Sequence, residues 1–172
     1  MHAHRLIATL ALAAGVAAPT ALTAVPAAAT TAATTAATTA ATTASCVITL
    51  YDIDANNVAE RDGKDELRFK VDGNLFPKFS ANYFSMKTGG DGDPADFEYP
   101  STLLVGSEDV KFDLREVTPP IVGEGDSLGK ATAHGSVCAG LAVGADTTET
   151  TIVEGTDETD YTYTVRLKLT RQ

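Results

Sequence analysis

Carboxylates are the reactive groups this chain holds in quantity: 23 Asp and Glu against 13 Lys and Arg in 172 residues, for a net charge of −10. They gather in turn-like stretches at residues 60–66, 91–96 and 116–126. Carboxylates in loops can serve as hard oxygen ligands for a cation, or as the acid and base of a hydrolase. Other chemistry is sparse. His134 is the one histidine outside residues 1–29, so a His-built zinc site or a Ser-His-Asp triad would have to use it. Its near serine, Ser136, lies two residues along an expected strand, where side chains share a face but do not meet in triad geometry. No Gly-x-Ser-x-Gly elbow occurs, and residues 123–129 carry acids and hydroxyls where a phosphate loop needs backbone N–H groups and a lysine. Trp is absent, which leaves Tyr51, Tyr83, Tyr99, Tyr161 and Tyr163 as faces on which a sugar could lie. Tyr161 and Tyr163 alternate within an apolar run and read as core.

The elements that must position these groups begin with an export signal. Arg5 precedes an apolar run from Leu6 to Ala18, and a small-residue stretch ends at Ala27-Ala28-Ala29. That order predicts a secretory signal peptide over residues 1–29, and the run is too short for a membrane span. Residues 30–45 repeat Thr-Thr-Ala-Ala four times, with Ser45 closing the last copy. Nothing in the repeat can build a core, so it is expected to be a disordered linker. Residues 46–172 are the expected folded domain, secreted to the extracellular side. Loss of Arg5 leaves it 12 basic and 23 acidic residues, a net charge of −11. Such a surface repels phosphate backbones and anionic head groups and excludes nucleic acid as a partner. An extracellular protein or cell-surface component is expected instead. The only two cysteines, Cys46 and Cys138, form an even pair in an oxidising compartment and are expected to make a disulfide.

Within the domain the apolar period is two. Residues 65–72 set Leu67, Phe69 and Val71 against Glu66, Arg68 and Lys70; residues 110–117 set Val110, Phe112 and Leu114 against Lys111, Asp113 and Arg115. Residues 161–169 continue the pattern with Tyr161, Tyr163, Val165, Leu167 and Leu169 on one side. Further strands are expected at 46–53, 79–86, 101–105, 130–137 and 150–154. Turn clusters separate them at 62–64, 72–74, 89–94, 119–120 and 123–129. Seven or eight short strands with almost no helix predict an all-β fold, an antiparallel two-sheet β-sandwich, C2-like or immunoglobulin-like, closed by one disulfide.

Two stretches taken together resemble C2-like β-sandwich domains. Ile48 to Asp72 runs strand, Val58-Ala59-Glu60-Arg61-Asp62-Gly63-Lys64-Asp65-Glu66, strand; Phe112-Asp113-Leu114-Arg115-Glu116 is followed by a loop and Asp126-Ser127-Leu128-Gly129. The likeness covers under a third of the folded region. It implies a Ca²⁺ site at one end of the sandwich, with Asp65 and Glu116 at acidic ligand positions, Asp126 at the late-loop position and Asp62 as a looser fit. Thr118 stands where a further acid would be, and Pro119-Pro120 follows. Asp91-Gly92-Asp93-Pro94-Ala95-Asp96 has the spacing of a cation loop but lacks the closing Glu of an EF-hand pattern. The expected function is a secreted, non-catalytic binding or interaction module of unknown ligand, with Ca²⁺ the candidate cofactor and acidic turns that only keep the surface solvated as the other reading of the same carboxylates. A proteinaceous inhibitor of an extracellular hydrolase, presenting loop 89–94 or 118–125, is the alternative, and a carboxylate-based hydrolase comes third.

Overall fold

A computed structural model describes residues 43–79, 82–120 and 123–172. The expected signal peptide, and the linker up to residue 42, lie outside the described residues.

Two antiparallel sheets pack face to face. The first is built on β1 (Ser45–Asn57) and β10 (Asp160–Arg171), which pair along nearly their whole length, from Cys46 with Arg171 to Asn57 with Thr162. A hairpin adds β9 (Asp146–Thr156) beyond β10. The other side of β1 is shared by two short partners, β5 (Asp91–Gly92) at one end and β6 (Ser101–Val105) at the other. The second sheet repeats that plan. Its β2 (Lys64–Val71) pairs with β7 (Val110–Glu116) on one side, and with β3 (Asn74–Phe76) and β4 (Phe84–Lys87) on the other. β8 (Asp126–Ala133) completes it beyond β7.

The period-two pattern is what closes the core. Ile48, Leu50 and Ile53 from β1 and Tyr163, Val165, Leu167 and Leu169 from β10 face Leu67, Phe69, Phe112, Leu114 and Ala131 of the other sheet, all essentially inaccessible to water. Phe69 meets the rings of Phe97 and Phe112 edge-on, at centroid separations of 5.0 and 6.4 Å. Such burial is worth roughly 1.5–3 kcal/mol for each large side chain and is the main term holding the sheets together. No helix among the described residues is long and apolar enough to cross a membrane.

The sandwich has ten strands rather than seven or eight, because β3 and β5, three and two residues long, carry too little pattern to be read from sequence. Two expected strands are corrected. Among the described residues, the segment expected at 79–86 is strand only where it overlaps β4: the amide of Asn82 donates to the carbonyl of Phe79 (2.9 Å), and Arg68 draws the carbonyls of Pro77 and Phe79 toward itself. The segment expected at 130–137 ends as strand at Ala133, and a short helix, α1 (Gly135–Gly140), follows. Gly135 permits that turn, since a Cβ there would lie 2.4 Å from the Ser107 carbonyl carbon. The helix carries Cys138 to Cys46, and the expected disulfide is present, spanning 92 positions of sequence.

Candidate functional site

Asp65 opens β2 and is fully buried. Its carboxylate accepts the backbone amides of Ala59 (2.7 Å) and Glu60 (2.9 Å) and the Tyr163 hydroxyl. Burial first, and the hydrogen bond to Asp65 second, hold the Tyr163 hydroxyl far above its ordinary titration range, so it remains a donor. With three donors on two oxygens, Asp65 ties the 58–60 loop to β10. Its place in the site is structural support.

The ladders bring two of the other expected residues together. Glu116 is the register partner of Leu67 on one side and of Asp126 on the other, so Glu116 and Asp126 stand side by side at the ends of β7 and β8. They line a cleft of about 160 Å³ with Glu60, Thr118, Asp157 and Glu158. Glu60 comes from the loop before β2. Asp157 and Glu158 come from the β9–β10 turn, which lies beside that loop: the Thr159 amide donates to the Ala59 carbonyl (2.8 Å), and the Arg61 amide to the Glu158 carboxylate (3.4 Å). Asp62 is not among the lining residues; it sits in the exposed turn, where its carboxylate accepts the Lys64 amide (2.9 Å).

Five carboxylates around so small a space cannot all stay ionised cheaply without a counter-charge. The strain falls on Glu116, only 7 % exposed. Burial, then the side-chain contact with Glu60, then the charges of Asp65, Glu60 and Asp157 raise its pKa from 4.5 to about 8. The donor set is all hard oxygen and comes from three loops, the ligand type Ca²⁺ takes, although among the described residues only Asp52, Asp54 and Asp91 bring three carboxylates within 4.8 Å of one another. Glu60, Glu116, Asp126, Asp157 and Glu158 are the residues that would hold it, with Thr118 at the rim. Three of these five were not singled out from sequence. Their signal was the pairing of first and last strands, which sets the β9–β10 turn beside the 58–60 loop.

A second acidic group lies on the outer face of the other sheet. Asp52 and Asp54 of β1 and Asp91 of β5 bring carboxylate oxygens within 4.8 Å of one another. Here one counter-charge faces three acids: the Arg166 guanidinium of β10 bonds Asp52 and, at 2.7 Å, Asp54, while burial and the neighbouring Asp91 and Asp54 still raise the Asp52 pKa. The rest of the 91–96 stretch is used up in capping, since the Asp96 carboxylate accepts the Asp93 amide (2.9 Å) at the start of a 3-10 turn over Pro94–Phe97. Loop 89–94, expected to project, is instead stitched to β1 by the Gly89 amide on the Ala55 carbonyl (2.7 Å) and the Ala55 amide on the Gly90 carbonyl (2.9 Å).

His134 sits just before α1, and its Nδ1 lies 2.8 Å from the Glu149 carboxylate. That hydrogen bond and charge raise its pKa above the ordinary 6.5. The pairing therefore stabilises the fold below pH 6.5, and its contribution is lost as pH rises through the folded-state value. NMR titration is expected to find the midpoint above 6.5 and to find it lowered in Glu149→Gln; an unmoved midpoint would count against the contact.

The fold and these sites define a class, an acidic, disulfide-closed β-sandwich with a carboxylate cleft at one end. No protein-family model matches the chain, and no curated protein matches it in sequence.

Proposed function

We propose that the protein is a secreted, non-catalytic binding module whose acidic cleft takes up Ca²⁺. The observation that carries this reading is the convergence of Glu60, Glu116, Asp126, Asp157 and Glu158 on one cleft, with Glu116 buried among them and its pKa pushed up to about 8. The signal-like order of residues 1–29 in the sequence and the disulfide support export. Glycoside hydrolysis is disfavoured by the lack of an aromatic face among the residues that line the cleft.

The proton on Glu116 makes the reading testable. The folded-state pKa lies above the ordinary 4.5, so the folded chain keeps a proton that the unfolded chain gives up. In the absence of a cation, this group's stabilising contribution is complete below pH 4.5 and falls away as pH rises through about 8. Ca²⁺ would have to displace that proton, so binding should tighten with pH over the same window. Millimolar Ca²⁺ is expected to raise the melting temperature more at pH 8.5 than at pH 6. At a hundredfold excess over Kd the gain is about 2.7 kcal/mol. Glu116→Gln should abolish the gain while melting above the parent in Ca²⁺-free buffer at pH 8.5, because a like charge is gone. Absence of any Ca²⁺-induced shift at pH 8.5 would sink the proposal.

The inhibitor reading has one observation in its favour. The carbonyl of Gly123 accepts from Arg68 (2.7 Å), and those of Glu124 and Gly125 accept from Arg115 (2.8 and 2.5 Å), so this end of the 118–125 loop is held rigidly. Residues 121 and 122 lie outside the described residues. Near-stoichiometric titration against secreted proteases and amylases tests it, and fails it if none is inhibited.

A further inference from the structure

We propose that the concavity between β3 and the start of β6 is a glycan-binding site, with the ring of Tyr99 as its stacking platform. The concavity measures about 470 Å³ and is lined by Asn74, Leu75, Phe76, Lys78, Tyr99 and Ser101. It lies apart from the acidic cleft and shares no residue with it.

The reason to look here is the backbone. Glu98 and Tyr99 are consecutive non-glycine residues in the left-handed region, at φ 58° and 56°. Each such residue costs of order 1 kcal/mol or more and persists only where its surroundings over-determine it. They do so here: the Glu98 amide donates to the Ala95 carbonyl (3.1 Å), the Tyr99 amide to the Pro94 carbonyl (2.8 Å) and the Leu50 amide to the Pro100 carbonyl (2.9 Å). The Glu98 carboxylate accepts the Lys78 amide at 2.9 Å. The geometry takes the chain from buried Phe97 to buried Pro100 and leaves Tyr99, between them, 68 % exposed. Glycine would make the same turn without the steric cost. A tyrosine that is strained, and that adds little to the core, is explained by what it presents to solvent.

What it presents is chemically selective. A pyranose has an apolar face of C–H bonds that packs on an aromatic ring, and hydroxyls at its edge that need donors and acceptors. Tyr99 supplies the ring, and Asn74 and Ser101 supply amide and hydroxyl groups. Lys78 stands at the rim with its ammonium 5.9 Å from the centroid of the Phe76 ring. Asn74 spends one N–H on the Asp72 carbonyl (3.3 Å), which leaves its other N–H and its oxygen for a ligand. The size suits a few sugar rings, within the range of ordinary ligand pockets. An extended peptide fits less well, because β3 is three residues long and is followed at once by Pro77, too short an edge to accept an added strand.

The test uses the chain from residue 30 onward and the soluble hexaoses of cellulose, xylan, chitin and starch, read by amide chemical shifts and calorimetry in the presence of EDTA. At least one hexaose is expected to shift the amides of Asn74, Tyr99 and Ser101. Tyr99→Ala should weaken that binding about tenfold or more, the loss typical of truncating a central aromatic, whereas Tyr99→Phe, which keeps the face, should retain it. Tyr99→Gly should lose binding yet melt at or above the parent temperature, a combination that a merely structural tyrosine would not give. The proposal is overturned if no hexaose binds at about 10 mM, or if Tyr99→Ala leaves binding intact. It is overturned equally if sugar binding requires Ca²⁺, or if proline-rich peptides shift these amides where no sugar does. Calcium uptake by the acidic cleft is read separately and can fail without this site failing.

Discussion

An Asp65→Ala variant is expected to melt roughly 15 °C below the parent, a loss of about 4 kcal/mol for a domain of this size. The carboxylate is fully buried and accepts two backbone amides and the Tyr163 hydroxyl. Alanine would leave all three donors facing a space too enclosed for bulk water. Each stranded donor costs about 1–3 kcal/mol, and the three are not additive because the 58–60 loop can relax. Relaxation has its own consequence: Glu60 leaves its place in the cleft. The variant should therefore lose Ca²⁺ response as well as stability, while Asp62→Ala, in the exposed turn, should change the melting temperature little. Urea unfolding with Ca²⁺ titration checks both. Loss of less than about 1 kcal/mol in Asp65→Ala would mean that the donors find other partners.

Replacing both cysteines by serine is expected to cost about 4–5 kcal/mol, the chain-entropy value for a loop of this order. Cys46 lies near the start of β1 and Cys138 in α1, 92 positions apart, so the bond joins the first strand to the short helix that follows β8. The loss is large against the 5–15 kcal/mol that ordinarily holds a domain folded. It should appear in urea unfolding as a lower midpoint for the double variant, and equally for the parent under reductant. A shift below about 1 kcal/mol would show that the unfolded chain is already confined without the bond.

How far the site was legible from sequence differs residue by residue. Glu116 and Asp126 are ladder partners, and their meeting follows from antiparallel pairing of two strands whose ends are both acidic. Asp65 shares their neighbourhood, but the same burial that brings it there surrounds its oxygens with donors, and burial is not a local property of sequence. Asp62, three residues earlier, faces solvent because Gly63, at φ 84°, completes an exposed turn. Arg68 was placed by alternation on the polar face of β2. It is instead wholly buried, since loops from residues 77–79 and 123 fold over it and offer it carbonyls.

The amino-acid sequence by itself determined the all-β class, the period-two faces that become the core, the principal strands and the Cys46–Cys138 pairing. All of these rest on alternation, turn chemistry and counting, which act over a few residues or follow from composition. Only the tertiary structure decided which carboxylates face one another, that Arg166 pairs with two of the three acids of one group while five acids line the other cleft, and that Tyr99 stands out from the surface. Those outcomes depend on register and on how loops distant in sequence close over the sandwich, and no short window of residues encodes them.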